Sequence, residues 1–130
     1  NFPLIEKAKS WGIKIDSIAG GNGYLGYFKP ATNQIRLATT EETVFFHELA
    51  HAAHYRIEKN LVPFQEPRKE ICAELSAQAL GLLVGTEIRS TLGNAYEYIS
   101  HYAEQQKKDI GKACLAVIGT VEKILTEILN

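Results

Sequence analysis

Residues 47–51 read His-Glu-Leu-Ala-His, and no other stretch of the chain restricts its fold as tightly. In a helix, residues four apart lie about one turn above each other, so His47 and His51 share a face, while Glu48 is turned away by roughly 100°. The flanking sequence is helical in pattern. Thr39 followed three residues later by Glu42 has capping-box spacing, and Val44 to Ile57 carries apolar residues at helical intervals. Two imidazoles on one helical face can hold one metal ion, with Glu48 beside the ion and free of it. The five-residue pattern arises by chance in a chain of this length on the order of a few times per thousand.

A catalytic zinc takes three protein ligands and leaves one position for water, so a third donor must come from another element. The next expected helix, Arg68 to Val84, has two acidic residues, Glu70 and Glu74, on one face. Glu70 fits either a ligand or a solvated carboxylate in a first helical turn. Glu74 stands among Ala73, Leu75 and Ala77, where a lone carboxylate is costly. It needs a polar or metal-bound partner, and a hydrogen bond from a ligating imidazole would serve. His54, seven residues after His47, falls on the same helix face and is either an alternative ligand or a satisfied residue at the pocket rim. Tyr98 and His101, on a further expected helix near Asn94 to Gln105, are candidates for an oxyanion or substrate contact.

The remaining segments read as an α+β domain. Pro3 to Trp11 has a helical face of Leu4, Ile5, Ala8 and Trp11, with Gly12 as its stop. Ile13 to Ile18, Tyr24 to Phe28 and Gln34 to Ala38 then alternate like strands of a small three-stranded antiparallel meander. Gly20 to Gly23 lacks a following Gly-Lys-Ser/Thr and is expected to be a hairpin turn, not a phosphate loop. Four helices are expected after the sheet: Val44–Ile57, Arg68–Val84, Asn94–Gln105 and Asp109–Leu129. Arg68–Val84 is so apolar from Ala73 onward that it should be buried. Asp109–Leu129 carries a stripe of Ile110, Ala113, Cys114, Val117, Ile118, Val121, Ile124, Leu125 and Ile128.

Composition removes several classes of function. With 130 residues, 45% of them hydrophobic, the chain suits a single domain over 1–130. The 14 Lys+Arg against 15 Asp+Glu give a net charge of −1, which disfavours a nucleic-acid module or a polybasic membrane surface. No stretch approaches the ~20 apolar residues of a spanning helix. Cys72 and Cys114 lie in apolar periodic segments and read as two reduced buried thiols, which favours a reducing cytoplasm. Asn1 as first residue and the lack of Met suggest a domain excised from a longer protein.

With His-Glu-Leu-Ala-His at 47–51 and Glu70-Ile71-Cys72-Ala73-Glu74 beyond it, the chain resembles a gluzincin, and hence a zincin-like fold. The resemblance implies one zinc ion held by His47, His51 and Glu70, with Glu48 as catalytic base and Glu74 supporting a ligating histidine, where Asp is commoner. More narrowly, the order of elements resembles the metallopeptidase domain of ArdC-type antirestriction proteins and phage or plasmid polyvalent proteins. Tyr27 to Pro30, Ile35 to Leu37 and Tyr98 to Tyr102 also support it. Tyr102 replaces a frequent Trp, and Ala52-Ala53-His54-Tyr55 lacks the usual Thr-Gly. The implied function is hydrolysis of peptide bonds in a peptide or protein substrate, with no nucleic acid or membrane bound by this domain. A neighbouring resemblance is to ImmA/IrrE-type regulatory peptidases, which share the Glu-x-x-Ala helix. A non-proteolytic, metal-containing module that binds a partner protein is the alternative.

Overall fold

The first helix is shorter than its apolar spacing predicts. In the computed structural model, which describes residues 3–19, 25–58, 66–85, 104 and 110–130, α1 spans Ile5–Ser10. Leu4 at φ 69° leaves the helical region and delays its start. Its end is as expected. Gly12 takes φ 75° and donates to Lys9 O at 2.9 Å, while Ile13 N–H reaches Ala8 O at 3.1 Å, the pair of bonds of a Schellman stop.

Three short strands follow, β1 (Lys14–Ser17), β2 (Gly26–Lys29) and β3 (Gln34–Leu37), but they do not form a meander. The order is β1-β3-β2. β1 runs parallel to β3, pairing Lys14 with Gln34 through Ser17 with Leu37, and β2 runs antiparallel to β3, pairing Gly26 with Leu37 through Lys29 with Gln34. The sheet is therefore mixed, and β1 and β2 are not hairpin neighbours, as the reading of Gly20–Gly23 required. Alternation fixes which face each side chain takes; it does not choose the neighbouring strand. Residues 20–23 themselves lie outside the described residues. The true hairpin joins β2 to β3, where Asn33 at φ 51° donates to Pro30 O at 3.3 Å.

α2 spans Glu42–Ile57. Its N-cap is Glu41, with no side-chain cap, because Thr39 Oγ1 accepts from the Glu41 N–H at 3.1 Å; the expected capping box is not made. α2 is the central helix, with β2 and β3 on one side and α3 (Glu66–Leu83) and a final helix, α4 (Ile110–Leu129), on the other. Phe45, Phe46, Leu49, Ala50, Ala52 and Ala53 are all buried, so it is covered nearly all round. Its small residues let neighbouring backbones come close.

α3 ends near Gly85 (φ 73°), as expected, yet is not buried throughout. Ile71, Cys72, Ala73, Ala77 and Leu80 enter the core and Val84 packs against it, whereas Leu82 and Leu83, turned off that line, are 75% and 62% exposed. On α4, Val117, Ile124 and Ile128 are buried, but Ile118 is exposed, being turned about 100° from the Val117 line. The side chains of Ile110, Ala113 and Cys114 are outside the described residues, as is the helix expected near 94–105 apart from Glu104. Cys72 is a free, buried thiol. Among the described residues, no helix is long and apolar enough to cross a membrane.

Candidate metal centre

The facing surfaces of α2 and α3 bring His47, His51 and Glu70 together. His47 Nε2 lies 3.1 Å from Glu70 Oε2, His51 Nε2 lies 3.0 Å from Glu70 Oε1, and the two Nε2 atoms are 3.2 Å apart. One donor atom from each residue falls within 4.8 Å of the others, so these three side chains form a group that could hold one metal ion. Ligands at 2.0–2.1 Å from a tetrahedral ion stand about 3.3 Å from each other. The observed separations approach that value, and the donor set of two imidazoles and a carboxylate suits zinc.

Glu74, one turn beyond Glu70 on α3, places Oε1 2.7 Å from His47 Nδ1. An ionised carboxylate only accepts, so Nδ1–H donates to it, which fixes the ring and aims Nε2 at Glu70 and His51. Glu74 thus contacts a candidate ligand and lies outside the three-donor group.

The charges of the cluster depend on each other. Burial opposes protonation of His47, but its hydrogen bonds to Glu70 and Glu74 and the nearby Glu48 carboxylate outweigh this and raise its pKa to about 10. Burial works to raise Glu70 too, and here the hydrogen bonds from His47 and His51 win, holding its carboxyl well below the usual range. Glu48 is only 7% exposed. Burial pushes its pKa up against the pull of both histidines, which suits a group that must take up and release a proton.

His54 departs from this cluster. Only 1% exposed, it directs Nε2 to Glu58 Oε2 at 3.2 Å, and its Nδ1 has no hydrogen-bond partner among the described residues. Burial lowers its pKa, so a neutral ring donates Nε2–H to Glu58. Arg68 grips the same carboxylate with two bonds, Nη1 to Oε2 at 3.0 Å and Nη2 to Oε1 at 3.1 Å, and Nη2 also reaches Thr120 Oγ1 at 2.7 Å. That grip, the largest influence on Glu58, keeps its carboxyl below the usual range. The sequence reading missed this chain of contacts. Glu58 lies four residues after His54, a spacing that signals an intrahelical pair; nothing in the sequence points from Arg68 to Thr120.

A cavity of about 360 Å³ opens at the cluster. His47, Glu48, His51 and Glu70 line it together with His54 and Lys69, while Gly26, Phe28, Pro30 and Tyr55 add an apolar side. Phe28 and Tyr55 meet edge to face, with ring centroids 6.2 Å apart. Tyr55 was not anticipated, although it follows His51 by four residues and continues the His47–His51 line along α2. Tyr98 and His101 lie outside the described residues. No family model, curated protein or solved structure matched the chain.

Proposed function

We propose that the chain is a zinc-dependent peptidase domain of gluzincin type, in which His47, His51 and Glu70 hold one ion and Glu48 is the catalytic base. The observation that carries this reading is the convergence of three donors from two helices in a cleft that also holds a buried carboxylate. A metal ion there, when bound, would make a water molecule a nucleophile near neutral pH and polarise a peptide carbonyl. Glu48 accepts the proton of the attacking water and returns it to the departing amine. Glu74 keeps His47 in the ligating tautomer through Nδ1.

The sheet supplies a place for an extended substrate. β3 is interior to the sheet, so among the described strands β2 offers the free edge on the cleft side. Ala38 N–H donates to Leu25 O at 2.8 Å, so in the β2–β3 ladder Leu25, Tyr27 and Lys29 face β3. By alternation, the peptide groups of Gly26 and Phe28 point outward, available to a peptide added as a strand. The aromatic pair Phe28 and Tyr55 then favours an apolar substrate side chain near the scissile bond. The order of motifs supports an ArdC-like, mobile-element origin, and the free, buried thiol of Cys72 supports a cytoplasmic site of action.

The test compares wild type with Glu48→Gln. Both are expected to bind one zinc per chain, and only the wild type to cleave members of a broad peptide library. Zinc binding by both with cleavage by neither would replace the peptidase reading with that of a partner-binding module. Elemental analysis of His51→Ala and Glu70→Ala is expected to show loss of zinc; full retention in Glu70→Ala would shift the third ligand to Glu74 or His54.

A further inference from the structure

Glu70 reaches the cluster from α3, whereas both histidines belong to α2, so the metal centre depends on how α3 is rotated about its own axis. Ile71, Cys72 and Ala77 are buried in the core, and apolar burial of this kind is non-directional. A roll of about 20° would carry a side-chain tip lying ~5–6 Å from the axis by about 2 Å. Metal–ligand distances tolerate only about 0.2 Å.

Arg68 supplies a directional constraint beyond the Glu74–His47 contact. It precedes Glu70 by two residues, which sets the two side chains about 200° apart around α3. Its guanidinium forks onto Glu58, the C-cap of α2, and bonds Thr120 in the middle of α4. His54 steadies the same carboxylate from within α2. Arg68 and Thr120 are both mostly or wholly shielded from solvent, and a two-pronged guanidinium–carboxylate pair is specific in direction as well as distance. α3 is thus tied to both α2 and α4 within one turn of Glu70.

We propose that Arg68, gripping Glu58 and Thr120, is a positioning residue that sets the reach of Glu70 to the metal. The inference rests on the metal-centre reading above. It is tested by zinc affinity of the metal-free full chain, measured by chelator competition, and by the visible absorption of the cobalt-substituted protein. Arg68→Gln is expected to weaken zinc binding by about 10- to 100-fold and to alter the cobalt bands. Arg68→Lys keeps the charge but not the fork and is expected to restore affinity only in part. Thr120→Val, which removes one bond far from the ligands in sequence, is expected to fall between Arg68→Lys and wild type. Ile128→Val, in the core of α4, controls for lost stability and should lower the melting temperature with affinity unchanged.

Wild-type affinity and unaltered cobalt bands in Arg68→Gln overturn the proposal, whatever happens to the melting temperature. If Arg68→Gln does not fold, the same result in Arg68→Lys and Thr120→Val overturns it. Equal losses in Ile128→Val would also overturn it, by showing that affinity follows stability alone. A wild type that binds no zinc defeats the metal-centre reading and this inference together, whereas normal wild-type binding with insensitive variants defeats only the inference.

Discussion

His47 is bound on both ring nitrogens, with Nδ1 against Glu74 and Nε2 against Glu70, and its pKa of about 10 follows from those two carboxylates. In the metal-free protein it is a cation at neutral pH, and Glu70 is its counter-charge. A metal ligand must be neutral at the donor nitrogen, so zinc has to displace the Nε2 proton. Zinc binding at pH 7 should therefore release close to one proton from this site, measurable by calorimetry in buffers of different ionisation heat. Affinity should rise with pH up to about 10. The stability of the metal-free protein runs the other way. A group whose pKa is raised on folding stabilises fully below its unfolded value of 6.5, and this contribution is lost as pH climbs through about 10. Metal-free samples should thus melt lower as pH rises across that window, and zinc-loaded samples should not share the decline. At the acid end, Glu70, depressed on folding, stabilises above the usual carboxylate range and loses that contribution as pH falls through its lowered folded value.

At the scale of elements, Gly26 lets β2 pack closely against both β3 and α2. A Cβ on Gly26 would lie 3.1 Å from Arg36 O, from Leu37 Cδ2 and from Val44 Cγ1. The carbonyl belongs to the neighbouring strand and cannot move aside without breaking the ladder. Gly26→Ala should cost about 1–3 kcal/mol in urea denaturation and should displace the strand that borders the cleft. Leu49, wholly buried next to Glu48, tests the centrality of α2: Leu49→Ala should cost about 2–5 kcal/mol. The stops of α1 and α3 were readable because Gly12 and Gly85 mark them by local conformation. Sheet pairing was not, since β1 and β2 have the same alternating pattern whether or not they are neighbours.

Across the whole molecule, the C-terminal end of α2 is tied to distant parts of the chain. Arg56 stacks over Trp11 at 4.5 Å and bonds Glu127 at 3.0 Å, and Lys7 Nζ donates to the carbonyl of Asn130. These contacts lock α1 and α4 around the end of the helix that bears the site. The cleft is likewise a product of several elements, with polar donors from α2 and α3 and apolar walls from Phe28, Pro30 and Tyr55. On the proposed peptidase reading, Tyr55→Ala should raise KM for peptides with an aromatic residue beside the scissile bond by about tenfold, with kcat little changed, because the ring lines the apolar wall of the cleft and is not one of the proposed reacting groups. Peptide profiling of wild type against the variant reads this directly, and an unchanged preference would place the substrate elsewhere in the cleft.

By itself the sequence determined the His47–His51 pair, the position of Glu48 beside them and the helical character of the segments that carry them, because helix periodicity alone sets which residues share a face. It also narrowed the third donor to a few side chains. Tertiary structure decided among them: Glu70 stands with the two imidazoles, Glu74 behind His47, and His54 turns to Glu58. It decided too that β1 lies beside β3, and that Arg68 joins three helices. Those outcomes depend on how whole elements are rotated and ordered against each other, and packing forces of that kind leave no periodic trace in the sequence.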